Sequence, residues 1–314
     1  MYKFNKHFYS LNEYLKNTFG QKIYKISLSS GLSCPNRDGK IDTRGCIFCS
    51  KGGSGEFAED YNLSICEQID RAKRRVKNKI KDGKYIAYFQ SYTNTYADES
   101  YLERIFLDAI NSDDIVVLSI ATRPDCLEDS ILNLIEKLNR MKPVWIEFGL
   151  QTMHESTANY IRRGYDLNCF ESSLYKLKNI NVDVIVHLIF GLPGETFDNM
   201  LETVEYVSSL PIDGVKFQLL NVLRGTDLEK EYNKGLFNVL SMEEYINILF
   251  ESIMHLRRDI VIHRITGDGP RSILIAPLWH VNKRKVLNTI NFELKNKNVY
   301  QGSKFMKNKK YPSK

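Results

Sequence analysis

The chain has 314 residues, 43% of them hydrophobic and 11% aromatic, with a net charge of +6. That is enough apolar material for a large buried core. No apolar run reaches the roughly 20 residues of a membrane-spanning helix, and the opening MYKFNKHFYSLNEYLKNTFG is too polar for a secretory signal. These properties predict a cytoplasmic protein with no membrane partner. In that compartment thiols stay reduced, and grouped cysteines favour metal binding or catalysis over disulfides.

In chain order, the β-branched and aromatic runs predict strands at 22–30, 85–92, 114–122, 144–151, 182–191 and 214–222. Amphipathic segments between them predict helices at 64–80, 100–111, 129–141, 169–181 and 197–210. Near-continuous apolar strands alternating with helices indicate a parallel sheet covered by helices. A GxGxxG fingerprint is absent after the first strand, which disfavours a dinucleotide-binding sheet. The expected fold is α/β: a partial (β/α)6 TIM-like barrel over residues 1–225, with a C-terminal α/β extension and basic tail over 226–314, forming one structural unit. In the extension, SMEEYINILFESIMHLRRD predicts a helix and IVIHRITGD (260–268) a short strand. Two stretches, 71–84 and 281–314, are strongly basic; such runs are commonly solvated faces, and they also suit phosphate contacts.

In parallel α/β folds ligands sit at the carboxyl ends of the strands. Immediately after the first predicted strand, LSCPNRDGKIDTRGCIFCS carries Cys34, Cys46 and Cys49, spaced C-x11-C-x2-C. Three thiolates can hold three irons of a [4Fe-4S] cluster and leave the fourth iron open, the logic that separates catalytic from closed metal sites. The alternative is a structural zinc site completed by Cys66 or a histidine. Cys66, Cys126 and Cys169 read as small core or loop residues.

This arrangement resembles the radical S-adenosylmethionine (SAM) superfamily. The long first gap departs from its commonest C-x3-C-x2-C spacing and is similar to the Elongator-like subgroup. CPNRDG, GCIFC, QSYTNTYA, TRPDC, EFGLQT, RRGYD, HLIFGLPGET and HRITGDGPR resemble its bacterial YhcC/YtqA-type members. The resemblance implies that SAM ligates the open iron and yields a 5′-deoxyadenosyl radical. By analogy with radical-SAM oxidases of porphyrin synthesis, it implies SAM contacts from Gln151 and Arg163, with Arg162 as an alternative. It places His187 where those oxidases carry an acidic ribose-binding residue, and lets Gly191 of GLPGE approach the adenine. Glu195 of that turn also suits the start of a helix.

Gln90, Ser91, Asn94, Arg123 and Asp125 fall at the second and third strand ends and point to SAM or substrate; Gln90 is taken as a cofactor contact. His263, Arg264 and Asp268 fall on a possible seventh strand, lining the substrate side or forming a structural ion pair. Basic segments interleaved with Tyr300, Phe305 and Tyr311 suit RNA, whose unstacked bases are held by stacking and phosphate contacts. The resemblance implies tRNA as partner and conversion of wobble 5-carboxymethylaminomethyluridine to 5-aminomethyluridine. It further implies a flavodoxin or ferredoxin electron donor and a tRNA methyltransferase acting next. No acetyl-CoA-binding domain is expected after the barrel, which argues against the Elongator reaction itself. The competing expectations are a radical SAM enzyme acting on a small metabolite and a non-enzymatic metal-containing RNA-binding protein.

Overall fold

A computed structural model describes residues 7–77, 83–267 and 269–306. Asp268, Tyr311 and residues 78–82 of the first basic run lie outside the described residues. The chain runs α1 (Leu11–Phe19), β1 (Ile23–Leu28), α2 (Ile65–Val76), β2 (Lys84–Phe89), α3 (Glu99–Ile110), β3 (Ile115–Thr122) and α4 (Asp129–Met141). It continues through β4 (Val144–Gln151), α5 (Glu155–Tyr160), α6 (Leu167–Asn179), β5 (Asp183–Phe190), α7 (Phe197–Ser209) and β6 (Gly214–Leu219). The remainder is β7 (Val222–Leu223), α8 (Asp227–Asn233), α9 (Met242–His255), β8 (Val261–Arg264), β9 (Leu274–Ala276) and α10 (Lys283–Asn296).

Local chemistry sets several of these boundaries. Reciprocal capping boxes, in which the cap side chain and a residue three positions on satisfy each other's backbone N–H groups, start α2 (Ser64/Glu67), α7 (Thr196/Asn199) and α9 (Ser241/Glu244). The predicted strand 214–222 divides at Leu220 and Asn221. Its end becomes β7, which pairs antiparallel with β9 as a separate ribbon.

Seven parallel strands form one sheet in the order β1-β2-β3-β4-β5-β6-β8. The possible seventh strand is thus a real one, and it extends the barrel beyond six. The sheet is curled: Lys25 of β1 reaches Glu147 of β4 at 2.8 Å, and Lys216 of β6 reaches Tyr88 of β2 at 3.4 Å. In a flat sheet β1 and β4 would stand about 14 Å apart, so their side chains meet only across a concave face.

The main apolar core fills the space between the convex face and the outer helices, with Phe89, Phe106, Phe148, Phe170 and Phe217 all fully buried. A second apolar cluster closes the lower end of the concave face. There Leu15 of α1 packs with Ile23, Ile86, Val117, Trp145 and Ile185. Residues 299–304 are also docked at that end. The buried Gln301 side chain accepts from the Tyr9 N–H and donates to the carbonyls of Arg257 and Ile260, just before β8. Tyr300 stacks on His7 with ring centroids 5.0 Å apart. Tyr300 therefore lies opposite the carboxyl ends of the strands, together with the segment that leads to Phe305, and the mouth of the barrel is built from other residues.

Candidate active site

Cys34, Cys46 and Cys49 are half-buried and line one open cavity of about 220 Å³ at the carboxyl ends of the strands. The eleven-residue gap folds back on itself, with Ile41 N–H donating to the Pro35 carbonyl at 2.8 Å and Gly45 N–H to the Asn36 carbonyl at 2.7 Å. These bonds return Cys46 to the neighbourhood of Cys34. Arg37 ties down the end of the loop, donating to the Cys49 carbonyl at 2.7 Å and the Ser50 carbonyl at 2.6 Å. It leaves no room at Gly45, where a Cβ would stand 2.9 Å from the Arg37 Nε. Gly45 also adopts φ 76°, a conformation glycine takes without strain.

Asn36 joins this loop to the segment after β4, donating to the Arg162 carbonyl at 2.8 Å and to the Cys46 Sγ at 3.5 Å. Burial, then repulsion from Cys49, pushes the Cys46 thiol up to about 12. Without a metal the Cys46 thiol stays protonated, and metal binding releases that proton. Cys66 is exposed, Cys126 buried and Cys169 half-buried, and none of the three lines the cavity.

Gln151 and Arg163 both reach the cavity wall. Gln151 ends β4 with φ 64°, an uncommon conformation outside glycine. Arg163 supports it by donating to the carbonyls on either side, Leu150 at 3.3 Å and Thr152 at 2.7 Å. Arg163 also pairs with Glu155 at 3.0 Å. The buried Oε1 of Gln151 has no hydrogen-bond partner among the described residues. A buried orphan acceptor on a cavity wall calls for a donor from a ligand.

Gln90, Arg123 and His187 line the same cavity. Arg123 forms a two-point pair with Asp125 at 2.9 and 2.8 Å and donates to the Arg163 carbonyl at 2.9 Å. Ser91 and Asn94 are spent on the scaffold: Ser91 bonds Ser29 at 3.0 Å, and Asn94 donates to the carbonyls of Phe89 and Ala121. Gly191 stands apart from the cavity wall. Its N–H donates to the Met200 sulfur at 3.2 Å, and a Cβ there would lie 3.0 Å from Leu240. Glu195 turns inward to accept from Thr152, and its burial raises its pKa above the usual carboxylate range.

The floor of the cavity is a buried charge network. Glu147, with no side-chain exposure, accepts from Lys25 at 2.8 Å, from Ser119 and His187 at 2.6 Å each, and from Lys216. Burial alone would raise the Glu147 carboxyl. Lys216 and Lys25 outweigh it and hold the group well below its usual range. Burial, reinforced by Lys216, depresses His187 to about 4, so the imidazole is neutral at pH 7. His263 lies lower, edge-on to Trp145 with ring centroids 5.2 Å apart, whereas Arg264 lines the cavity. A register shift between β6 and β8 sets Arg264 beside Lys216.

Glu147 and Lys216 were not singled out in the sequence. The signal was present, because VWIEFG and GVKFQ each place one charge in the middle of an otherwise apolar strand. A charge there must be paired or functional.

The residues fit a cluster bound with SAM. Three thiols surround a cavity at the barrel mouth, and beside them is an orphan acceptor matching an ammonium donor. Among the described residues no three His, Cys, Asp or Glu side chains meet closely enough to hold a single metal ion. Thiols spread around a cavity suit a multi-iron cube, which is larger than one zinc ion.

Residues 43–207 match the Radical SAM superfamily, and residues 212–296 match the Radical_SAM C-terminal domain. The chain belongs to the radical SAM superfamily. It is an enzyme whose cofactors are a [4Fe-4S] cluster and SAM, and it groups with the Elongator-like members. The chain is 43% identical over 302 residues to YtqA of Bacillus subtilis, covering 96% of this chain and 94% of that protein. It is 25% identical over 163 residues to the tRNA uridine(34) acetyltransferase of Methanocaldococcus jannaschii, covering 51% of this chain and 30% of that one. In fold it is similar to the archaeal Methanocaldococcus infernus Elp3, with a TM-score of 0.70 and 17% identity over 89% of this chain. This chain spans 64% of that structure. Among the described residues no helix is long and apolar enough to cross a membrane.

Proposed function

We propose that this radical SAM enzyme modifies the wobble uridine of tRNA, converting 5-carboxymethylaminomethyluridine to 5-aminomethyluridine. In this reading Cys34, Cys46 and Cys49 bind three irons of the cluster, and Gln151 offers its orphan Oε1 to the SAM ammonium group. Gln90 and His187 complete the cofactor wall, Arg163 holds Gln151 in its uncommon backbone conformation, and Gly191 shapes the turn behind it. When bound, the cluster and SAM supply a 5′-deoxyadenosyl radical and an acceptor for a second electron. The methylene between nitrogen and carboxylate is the favoured position, because the adjacent nitrogen stabilises a carbon radical. Loss of a hydrogen atom there, then of one electron and the N–H proton, gives an imine. Water splits it into the 5-aminomethyl group and a two-carbon oxo acid.

The observation that carries the proposal is the union of the three thiols and a charged floor in one open cavity. The named activity of the tRNA uridine(34) acetyltransferase supports the choice of substrate. So does the first turn of α10, where Lys283, Arg284 and Lys285 are exposed. Cations at a helix N-terminus oppose the helix dipole, so they are better explained by phosphate contacts than by helix stability. The mouth side of this region is fixed by the Trp279 indole, which donates to the Leu240 carbonyl at 2.9 Å. A flavodoxin or ferredoxin would deliver the electron, and a tRNA methyltransferase would take the exposed amine next. The test is nucleoside analysis after anaerobic turnover on tRNA bearing 5-carboxymethylaminomethyluridine. The proposal expects 5-aminomethyluridine and glyoxylate in equal amounts; an unchanged nucleoside profile beside active SAM cleavage would reject it.

A further inference from the structure

In β6 the outward residues Val215, Phe217 and Leu219 belong to the main apolar core, while Lys216 and Gln218 face the cavity. The charged floor is one ring, in which hydrogen bonds link Tyr88, Ser119, Glu147, His187 and Lys216 across β2 to β6. Two residues further along each strand, the next ring towards the mouth is Gln90, Ala121, Gly149, Ile189 and Gln218, all on the cavity wall. Its middle carries only a methyl group and a hydrogen, so it leaves a slot with a carboxamide at either side. Ile189 is the ladder neighbour of Gln218. Gln218 is half-buried in a strand whose other residues are buried. Lys216 is committed to Glu147 and Tyr88, whereas the Gln218 carboxamide has no hydrogen-bond partner among the described residues. A polar group left open on the wall of a site is there for a ligand or for water.

A ligand that fills this slot displaces water from Gln218 and must replace its hydrogen bonds. A carboxamide presents a donor and an acceptor side by side in one plane. A carboxylate answers only the donor, and an ammonium only the acceptor. A ring with adjacent N–H and C=O groups answers both, as N3–H and O4 of uracil do. We infer that Gln218 grips the imide edge of the target pyrimidine, with Ile189 against the ring. The inference rests on the proposed uridine substrate. Holding N3–H and O4 fixes the neighbouring C5, and with it the side chain whose methylene gives up a hydrogen. The adenine of SAM carries a similar planar edge. The thiol loop, however, is joined to the segment after β4, and Gln218 stands two strands away on β6. Gln218 is therefore a substrate-binding residue.

The experiment measures binding of anticodon stem-loop RNAs to the reconstituted full-length protein with SAM, under anaerobic conditions and without reductant. Three RNAs differ only at the wobble base: 5-carboxymethylaminomethyluridine, its N3-methyl counterpart and unmodified uridine. The wild type should bind the first about tenfold or more tighter than its N3-methyl counterpart, because the lost donor leaves the carboxamide unpaired. Gln218→Leu and Gln218→Met keep the bulk of the side chain and remove the amide. Both should weaken binding of the first RNA about tenfold and erase its advantage over the N3-methyl form. Cluster absorbance and SAM affinity should stay at wild-type values, which separates lost recognition from misfolding. N3 discrimination retained in both variants, beside a wild-type preference for the modified over the unmodified uridine, would overturn the role of Gln218 and leave the substrate standing. A fall in SAM affinity with RNA binding unchanged would assign Gln218 to adenine and likewise overturn it. Equal wild-type affinity for all three RNAs would overturn both.

Discussion

Glu147 and His187, on adjacent strands, share a 2.6 Å hydrogen bond at the centre of the barrel, although the residue directly opposite Glu147 in the ladder is Ile185. The pairing is diagonal, two residues further along β5, and it follows from the right-handed twist of the sheet. It commits His187 to the network in which Lys216 and Lys25 also take part. Removing the carboxylate therefore strands buried cations. Glu147→Gln should destabilise the fold by about 3–5 kcal/mol, read as a lower denaturant midpoint. The double variant Glu147→Leu/Lys216→Met, which removes charges of both signs, should recover part of the loss. A single variant as stable as the wild type would show that the network is not held by its charge balance.

Acid should weaken the fold through the same histidine. His187 is depressed from 6.5 to about 4 by burial and Lys216, so between these values the unfolded chain binds the extra proton. Its contribution is complete above pH 6.5 and is lost as pH falls towards 4, a change of roughly 3 kcal/mol. In His187→Gln the slope of stability against pH should flatten in that window. An unaltered slope would place the acid sensitivity elsewhere.

Asp183 works in the opposite direction. Burial, with repulsion from Asp213, raises its carboxyl from 3.8 to about 6. Here the folded state binds the extra proton between pH 4 and 6, so ionised Asp183 weakens the fold above pH 6 and the penalty disappears as pH falls to 4. Asp183→Asn should gain roughly 2–3 kcal/mol at pH 7.5 and almost nothing at pH 4. Equal gains at both values would point to packing instead of charge.

The thiols carry little of the fold. Cys34, Cys46 and Cys49 are half-buried and free, and their loop is held by Arg37, Asn36 and backbone bonds. Replacing all three by alanine should abolish iron binding and the visible cluster absorbance, with the unfolding transition of the apo-protein nearly unchanged. Gly45→Ala should behave in reverse, because its Cβ would collide with Arg37 at 2.9 Å. That variant should disturb the loop and reduce iron uptake while every thiol remains.

The barrel was legible because each strand from β1 to β6 is an apolar β-branched or aromatic run, and each following helix keeps a 3.6-residue period. The short elements α5, α8 and β9 carry too few residues for a period to register. The split between β6 and β7 depends on a bend that the apolar run through Leu219 and Leu220 does not advertise. That the three cysteines gather at the barrel mouth was legible from their place just after the first strand. The supports of the trio were not, since Asn36 and Arg37 read as loop polarity until Arg162 and Cys49 are brought beside them by tertiary folding. Glu147 and Lys216 lie 69 residues apart, and only the closed curvature of the sheet makes them partners. The aromatic tail misled for the same reason: Gln301 anchors residues 299–304 to the lower end of the barrel, away from the mouth.

The account is tested most directly by 5′-deoxyadenosine formation from the anaerobically reconstituted protein with dithionite and SAM. Three conditions are compared: no RNA, tRNA lacking the wobble modification, and tRNA carrying 5-carboxymethylaminomethyluridine. The account predicts slow SAM cleavage without RNA, a clear rise only with the modified tRNA, and none in the triple cysteine variant. Cleavage indifferent to all three conditions would contradict the tRNA substrate, and no 5′-deoxyadenosine from protein with a verified cluster would contradict the reading of Cys34, Cys46 and Cys49.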